Sequence, residues 1–194
     1  YELLDFINFQ YVRLGVGLTQ WEPVNDDNDP RHLNLDKGFS FSKNFRKSHP
    51  QIKENVDIYL NLLHRLLNYF EKEKVFVHLA NWNLGVAQFG GKTWLSPNNN
   101  RNDAPSDIEE FTEALTAIVY HLKKEKDYDC VEGISMWNEP EQFKNLFFRN
   151  YKGDNYYQAL ARVYNSLGDQ LRRYDLRNQI NILGIDGALL WNRV

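Results

Sequence analysis

The chain has 194 residues, 42% of them apolar and 14% aromatic, enough for one domain with a sizeable core. A formal charge of −3 with no Lys/Arg stripe argues against nucleic acid and against an anionic membrane surface as partners. No run approaches the roughly 18 apolar residues of a membrane span, no charged-then-apolar leader opens the chain, and the single Cys130 excludes an internal disulfide framework.

Residues 1–10 read as the end of an amphipathic helix. From Tyr11 to Thr19 the pattern alternates: Val12, Leu14, Val16 and Leu18 fall on one face, and Arg13, Gly15, Gly17 and Thr19 on the other. The second face is too small and polar to pack helices, but it suits the inside of a barrel. This strand ends in Gln20-Trp21-Glu22-Pro23, and a long Asn/Asp/Lys-rich loop follows over 24–50. Ile52, Val56, Tyr59, Leu60, Leu63, Leu66, Leu67 and Phe70 then keep helical spacing, closing in Glu71-Lys72-Glu73-Lys74.

Val75-Phe76-Val77-His78-Leu79-Ala80 reads as a short buried strand ending in Asn81-Trp82-Asn83, with a second loop over 84–104. Ser106-Asp107-Ile108-Glu109, preceded by Pro105, predicts a capping box with Ser106 as the cap. Its helix carries Ile108, Phe111, Leu115, Ile118, Val119 and Leu122 on one face, and the mixed-sign Lys123-Lys124-Glu125-Lys126 reads as its solvated end. Cys130, just before an apolar run, reads as a small core residue rather than a reactive thiol.

The next strand, from Val131, runs into Trp137-Asn138-Glu139-Pro140. A polar end on a buried strand is how barrel enzymes present their chemistry, although Asn, Glu and Pro are also ordinary turn residues. A last helix (Leu160, Val163, Tyr164, Leu167, Leu171) leads to a strand over Ile180–Ile185 that ends at Asp186-Gly187.

Four strands alternating with helices predict an α/β fold with a parallel sheet. Eight such units would need roughly 450 residues against about 250 in a typical barrel, so the expectation is one partial domain, 1–194, holding about half of a (β/α)8 TIM barrel. Both ends of the chain read as cuts, and the cut sheet edges would invite self-association. The alternative is a four-stranded open doubly wound domain, which should carry a Gly-rich phosphate loop; no G-x-G-x-x-G or Walker pattern occurs, and Gly15 and Gly17 lie inside a strand.

Carboxylates and amides interleaved with Trp at the strand ends form a sugar-binding vocabulary, because the polar groups take hydroxyls and indole faces take the C–H side of a pyranose. Core packing is the competing account of each Trp taken alone. Arg13 early in one strand, Asn81-Trp82 ending the next and Trp137-Asn138-Glu139-Pro140 ending the third resemble strands two, three and four of the retaining β-glycosidases built on (β/α)8 barrels, closest to the cellulase and β-mannanase types of glycoside hydrolase family five. The resemblance spans strands two to five of that fold.

The resemblance implies that Glu139 is the general acid/base and that Asn138 holds the 2-hydroxyl of the sugar at the cleaved bond. It implies that Arg13 orients the nucleophile; a buried structural ion pair is its alternative. Trp82, Trp137, Trp21, Asn81 and Asp186 are then substrate contacts, although Asp186 can equally cap a turn with Gly187. His78 shares a face with Ala80 and Trp82, as a barrel-interior hydrogen-bonder or a plain core histidine.

A retaining mechanism needs a second carboxylate about 5–5.5 Å from the first. In this family it comes from strand seven, for which no stretch of the chain is a counterpart, so the 194 residues alone are expected to be inactive. The substrate implied is a β-linked glycan, with no cofactor. Two other classes stay open: a non-catalytic carbohydrate-binding barrel, and a metal-dependent barrel enzyme, for which no H-E-x-x-H occurs and the five His are scattered.

Overall fold

The computed structural model describes residues 9–18, 29–33, 50–81, 105, 107–136 and 155–184. They form β1 (Tyr11–Val16), α1 (Pro50–Glu73), β2 (Phe76–Asn81), α2 (Ile108–Tyr120), a π-turn continuing it (His121–Glu125), β3 (Val131–Ser135), α3 (Tyr156–Arg173) and β4 (Asn181–Ile182). The strands make one four-stranded sheet in the order β1-β2-β3-β4, every neighbouring pair parallel.

The protein is therefore α/β with a parallel sheet, as expected. A doubly wound sheet reverses its strand order at a switch point, and these four strands run in sequence with no reversal. Parallel neighbours joined by helical crossovers turn right-handed, so strands laid down in sequence collect their helices on one face. Among the described residues no helix is long and apolar enough to cross a membrane.

The helix-side face carries Leu14, Leu79, Ile134 and Ile182 in one register row, with Val16, Val77 and Val131 beside it. These meet Leu67 and Phe70 of α1, Phe111 and Leu115 of α2, Leu122 of the π-turn, and Val163 and Leu167 of α3 in a single core. Ile52, Val56, Tyr59 and Leu60, assigned to the same core from their spacing, lie outside the described side chains. The predicted apolar face of α2 is buried throughout, but so are Thr112, Glu113 and Thr116 on its other sides. Here α3 closes over α2, and the Thr112 and Ser166 hydroxyls meet at 2.6 Å between the two helices.

The cap of α2 differs from expectation. Asp107, with extended backbone (φ −136°, ψ 123°), accepts from the amides of Glu109 at 2.8 Å and Glu110 at 3.2 Å, so the helix starts one residue later than a Ser106 cap would place it. A carboxylate in that position also meets the positive end of the helix dipole. Asp107→Ala is expected to lower stability by about 1 kcal/mol, read as a shift of the urea midpoint. Among the described residues a full capping box stands at α3, where Asn155 accepts from the Gln158 amide and Gln158 accepts from the Asn155 amide, both at 3.0 Å.

Three elements of the helix layer stop on a residue in left-handed backbone that is not glycine: Lys74 (φ 56°) after α1, Asp127 (φ 58°) after the π-turn and Asp175 (φ 55°) after α3. The residue after each folds back onto the preceding turn, with Val75 N–H donating to Phe70 O, Tyr128 N–H to Leu122 O and Leu176 N–H to Leu171 O. Val75, Tyr128 and Leu176 are all buried, so an apolar anchor holds each stop in place without the usual glycine.

The predicted solvated run Lys123–Lys126 is only partly solvated. Lys123 is buried; its ammonium donates to Tyr128 O at 3.0 Å and lies 3.6 Å from the Asp129 carboxylate, while Lys124, Glu125 and Lys126 are exposed. The π-turn rotates Lys123 inward onto the carbonyls of the following turn. The last strand is also shorter than predicted, though Leu183 N–H still donates to Ile134 O at 2.9 Å.

Candidate active site

The face of the sheet away from this core holds Arg13 and His78, two of the residues singled out from the sequence. One register row crosses all four strands as Arg13, His78, Gly133 and Asn181, and the next row toward the strand ends is Gly15, Ala80 and Ser135. Large side chains stand at the start of the face, where Tyr11 (58% exposed) and Phe76 (36%) pack their rings 5.2 Å apart and Tyr11 lies 5.7 Å from the His78 ring. Toward the strand ends, Gly15, Ala80, Gly133 and Ser135 narrow the side chains to almost nothing.

A bulge between β2 and β3 keeps this arrangement in phase. Val77 pairs with Val131 and His78 with Gly133, so Glu132 is the extra residue on β3. Without it, Gly133 and Ser135 would turn to the helix side. Gly133 has a steric reason as well: a Cβ there would stand 3.0 Å from His78 Cδ2 and 3.1 Å from Leu183 Cδ1. Gly133→Ala is expected to cost about 1 kcal/mol, because both neighbours must shift slightly. Denaturant melts of Gly133→Ala with and without His78→Ala should show part of that loss recovered in the pair.

Arg13 is exposed on this face, so the buried ion pair weighed as its alternative does not describe it. His78 is half-buried in the row beside it and shares its face with Ala80, as its parity predicted. Asn81 is fully buried and pairs in register with Val16, which puts it on the helix-side face. Its side-chain amide donates to Met136 O at 3.2 Å, pinning the main chain that leads into Trp137. Trp21, Trp82, Trp137, Asn138, Glu139 and Asp186 lie outside the described residues.

Cys130 fits its expected role. Its thiol is buried beside Leu67 O, and burial first, then the Glu71 carboxylate, pushes its pKa up to about 12. Glu71 also accepts the Cys130 amide at 2.8 Å. A thiol held neutral in this way is no nucleophile.

One grouping was not foreseen. His64 of α1 and His121 of the π-turn face each other with Nε2 atoms 3.5 Å apart, and Tyr128 and Glu125 flank the pair. The i,i+4 spacing of His121 and Glu125 was readable in the sequence; the meeting with His64, 57 residues away, was not. Among the described residues no group of three or more His, Cys, Asp or Glu is arranged to hold a metal ion.

A cleft of about 1130 Å³ opens between residues 29–31, the start of α2 and α3, lined by both Arg31, Arg162 and Arg173 and Asp29, Asp107 and Asp169. It takes no residue from any strand, so it is separate from the Arg13 and His78 face. No family model matches the chain, and no curated protein matches it in sequence.

Proposed function

We propose that the chain carries the acid/base half of a retaining β-glycoside hydrolase, as strands two to five of a (β/α)8 barrel. What supports this is the row Arg13, His78, Gly133 and Asn181 with the small-residue row beyond it. These make a sheet face that is bulky at its base and empties toward the strand ends, and in the sequence the alternation that carries Gly133 and Ser135 leads on to Trp137 and Glu139.

In this reading Glu139 protonates the leaving glycosidic oxygen and then activates water, while Asn138 holds the 2-hydroxyl. Arg13 orients a nucleophilic carboxylate contributed by strand seven. Trp21, Trp82 and Trp137 offer indole faces to the sugar rings, and Asp186 takes hydroxyls at the rim. Asn81 acts through the backbone at Met136, setting where Trp137 begins. The substrate is a β-linked glycan and no cofactor takes part.

Incubating the complete polypeptide with β-linked gluco- and manno-oligosaccharides tests the proposal through the release of new reducing ends. Tight binding with no release would favour the alternative, a barrel that binds carbohydrate without cleaving it.

A further inference from the structure

The His64–His121 pair sits where α1 meets the end of α2, away from the sheet face that carries Arg13 and His78. Its rings pack edge to face with centroids 5.4 Å apart, and each Nδ1 is already engaged, that of His121 with Glu125 Oε2 at 2.5 Å and that of His64 with the Tyr128 hydroxyl at 3.3 Å. The Tyr128 hydroxyl also lies 3.0 Å from Asn68 Oδ1, an alternative acceptor for its one hydrogen, so α1, the π-turn and the turn before β3 share one polar network.

Proton counting limits this network. His121 Nδ1–H donates to the carboxylate, so a neutral His121 offers a bare Nε2. His64 donates its own Nε2–H into that position, and its bare Nδ1 takes the hydrogen of the Tyr128 hydroxyl. The gap between the rings then takes one hydrogen. A second would set two N–H groups head-on and two positive charges side by side.

We propose that His64 and His121 form an acid-sensitive clasp between α1 and the π-turn, closed while at most one proton lies between them and opened by the second. Among the described residues the groups facing the pair are Glu125 and Lys126 of the π-turn and Tyr128 beyond it, with Glu71 of α1 one step further out. Burial comes first in holding both imidazoles below the ordinary histidine value, reinforced at His64 by His121 and then Lys126. Glu125 pulls His121 the other way without reversing the direction.

The sign of the pH dependence follows. A histidine lowered in the fold and ordinary when the clasp is open binds more protons in the open state, so the clasp is closed above about pH 6.5 and weakens as the pH falls below it. Because α1 leads directly into β2 and the π-turn into β3, opening loosens the two central strands where they join the helix layer.

Two measurements on the whole chain test this. Imidazole NMR should show His64 and His121 titrating below 6.5 as a coupled pair, and His121→Gln should raise the His64 midpoint. Hydrogen exchange of the 121–128 amides, corrected for its intrinsic pH dependence, should speed up about tenfold in the parent for each unit by which an imidazole is lowered, as the pH falls from 7.5 to 5. In His121→Gln most of that acceleration should be gone. Independent titration of both rings near 6.5 in the parent would overturn the proposal whether or not the variant folds. So would an exchange profile that His121→Gln leaves unchanged.

Discussion

Glu139→Gln in the complete polypeptide is expected to lower kcat/KM by about 10²- to 10⁴-fold on glycosides with poor leaving groups, the usual worth of a positioned general acid. That corresponds to roughly 3–5 kcal/mol of barrier. Glutamine keeps the size and can still accept or donate a hydrogen bond, but it has no proton to transfer, so the loss reports the proton and not the space. An aryl glycoside whose leaving group is already acidic needs little protonation, and its glycosylation step should fall far less. A uniform loss on both substrates would mean that Glu139 binds sugar without transferring a proton.

Phe111→Ala is expected to lower the unfolding free energy by about 3–5 kcal/mol. Phe111 is fully buried in α2, and every residue from Glu110 to Val119 of that helix is buried with it, so the emptied space has no solvent-facing surface to collapse onto. Domains of this kind are stable by about 5–15 kcal/mol, which makes the loss a large share of the total. Leu62 of α1, 49% exposed, is the control: Leu62→Ala should stay within about 0.5 kcal/mol. Urea melts with midpoints shifted and slopes unchanged would confirm that both variants keep the same fold.

The repeating order of strands and helices was readable because its cause is local. In β1, Val12, Leu14 and Val16 alternate with Arg13 and Gly15, and β2 keeps that alternation in register, while β3 follows it only beyond the bulge at Glu132. The faces of α2 and α3 were readable for the same reason, since their apolar residues repeat at helical spacing. Their ends were not. Asp107 and Ser106 are both good caps, and only the backbone selects between them. Lys74, Asp127 and Asp175 occupy left-handed positions that glycine usually marks, and what stabilises them there is the burial of the residue that follows.

Long-range meetings lay beyond the sequence pattern. Lys123 stands in a run of charges, and only the π-turn shows that it points inward. His64 and His121 belong to different helices, so neither spacing nor composition pairs them. Asn81, read as a rim residue because it ends a strand, turns to the helix side because its parity matches Val16. Of the candidate site, Arg13 and His78 were readable as members of one face, since both follow from strand alternation.

The measurement that bears most directly on the proposed function is proton NMR of the first sugar released by the complete polypeptide from a β-linked oligosaccharide. A retaining mechanism through Glu139 and a nucleophilic carboxylate predicts that the new reducing end appears first as the β-anomer and only then mutarotates. Initial appearance of the α-anomer, or binding with no release at all, would contradict it.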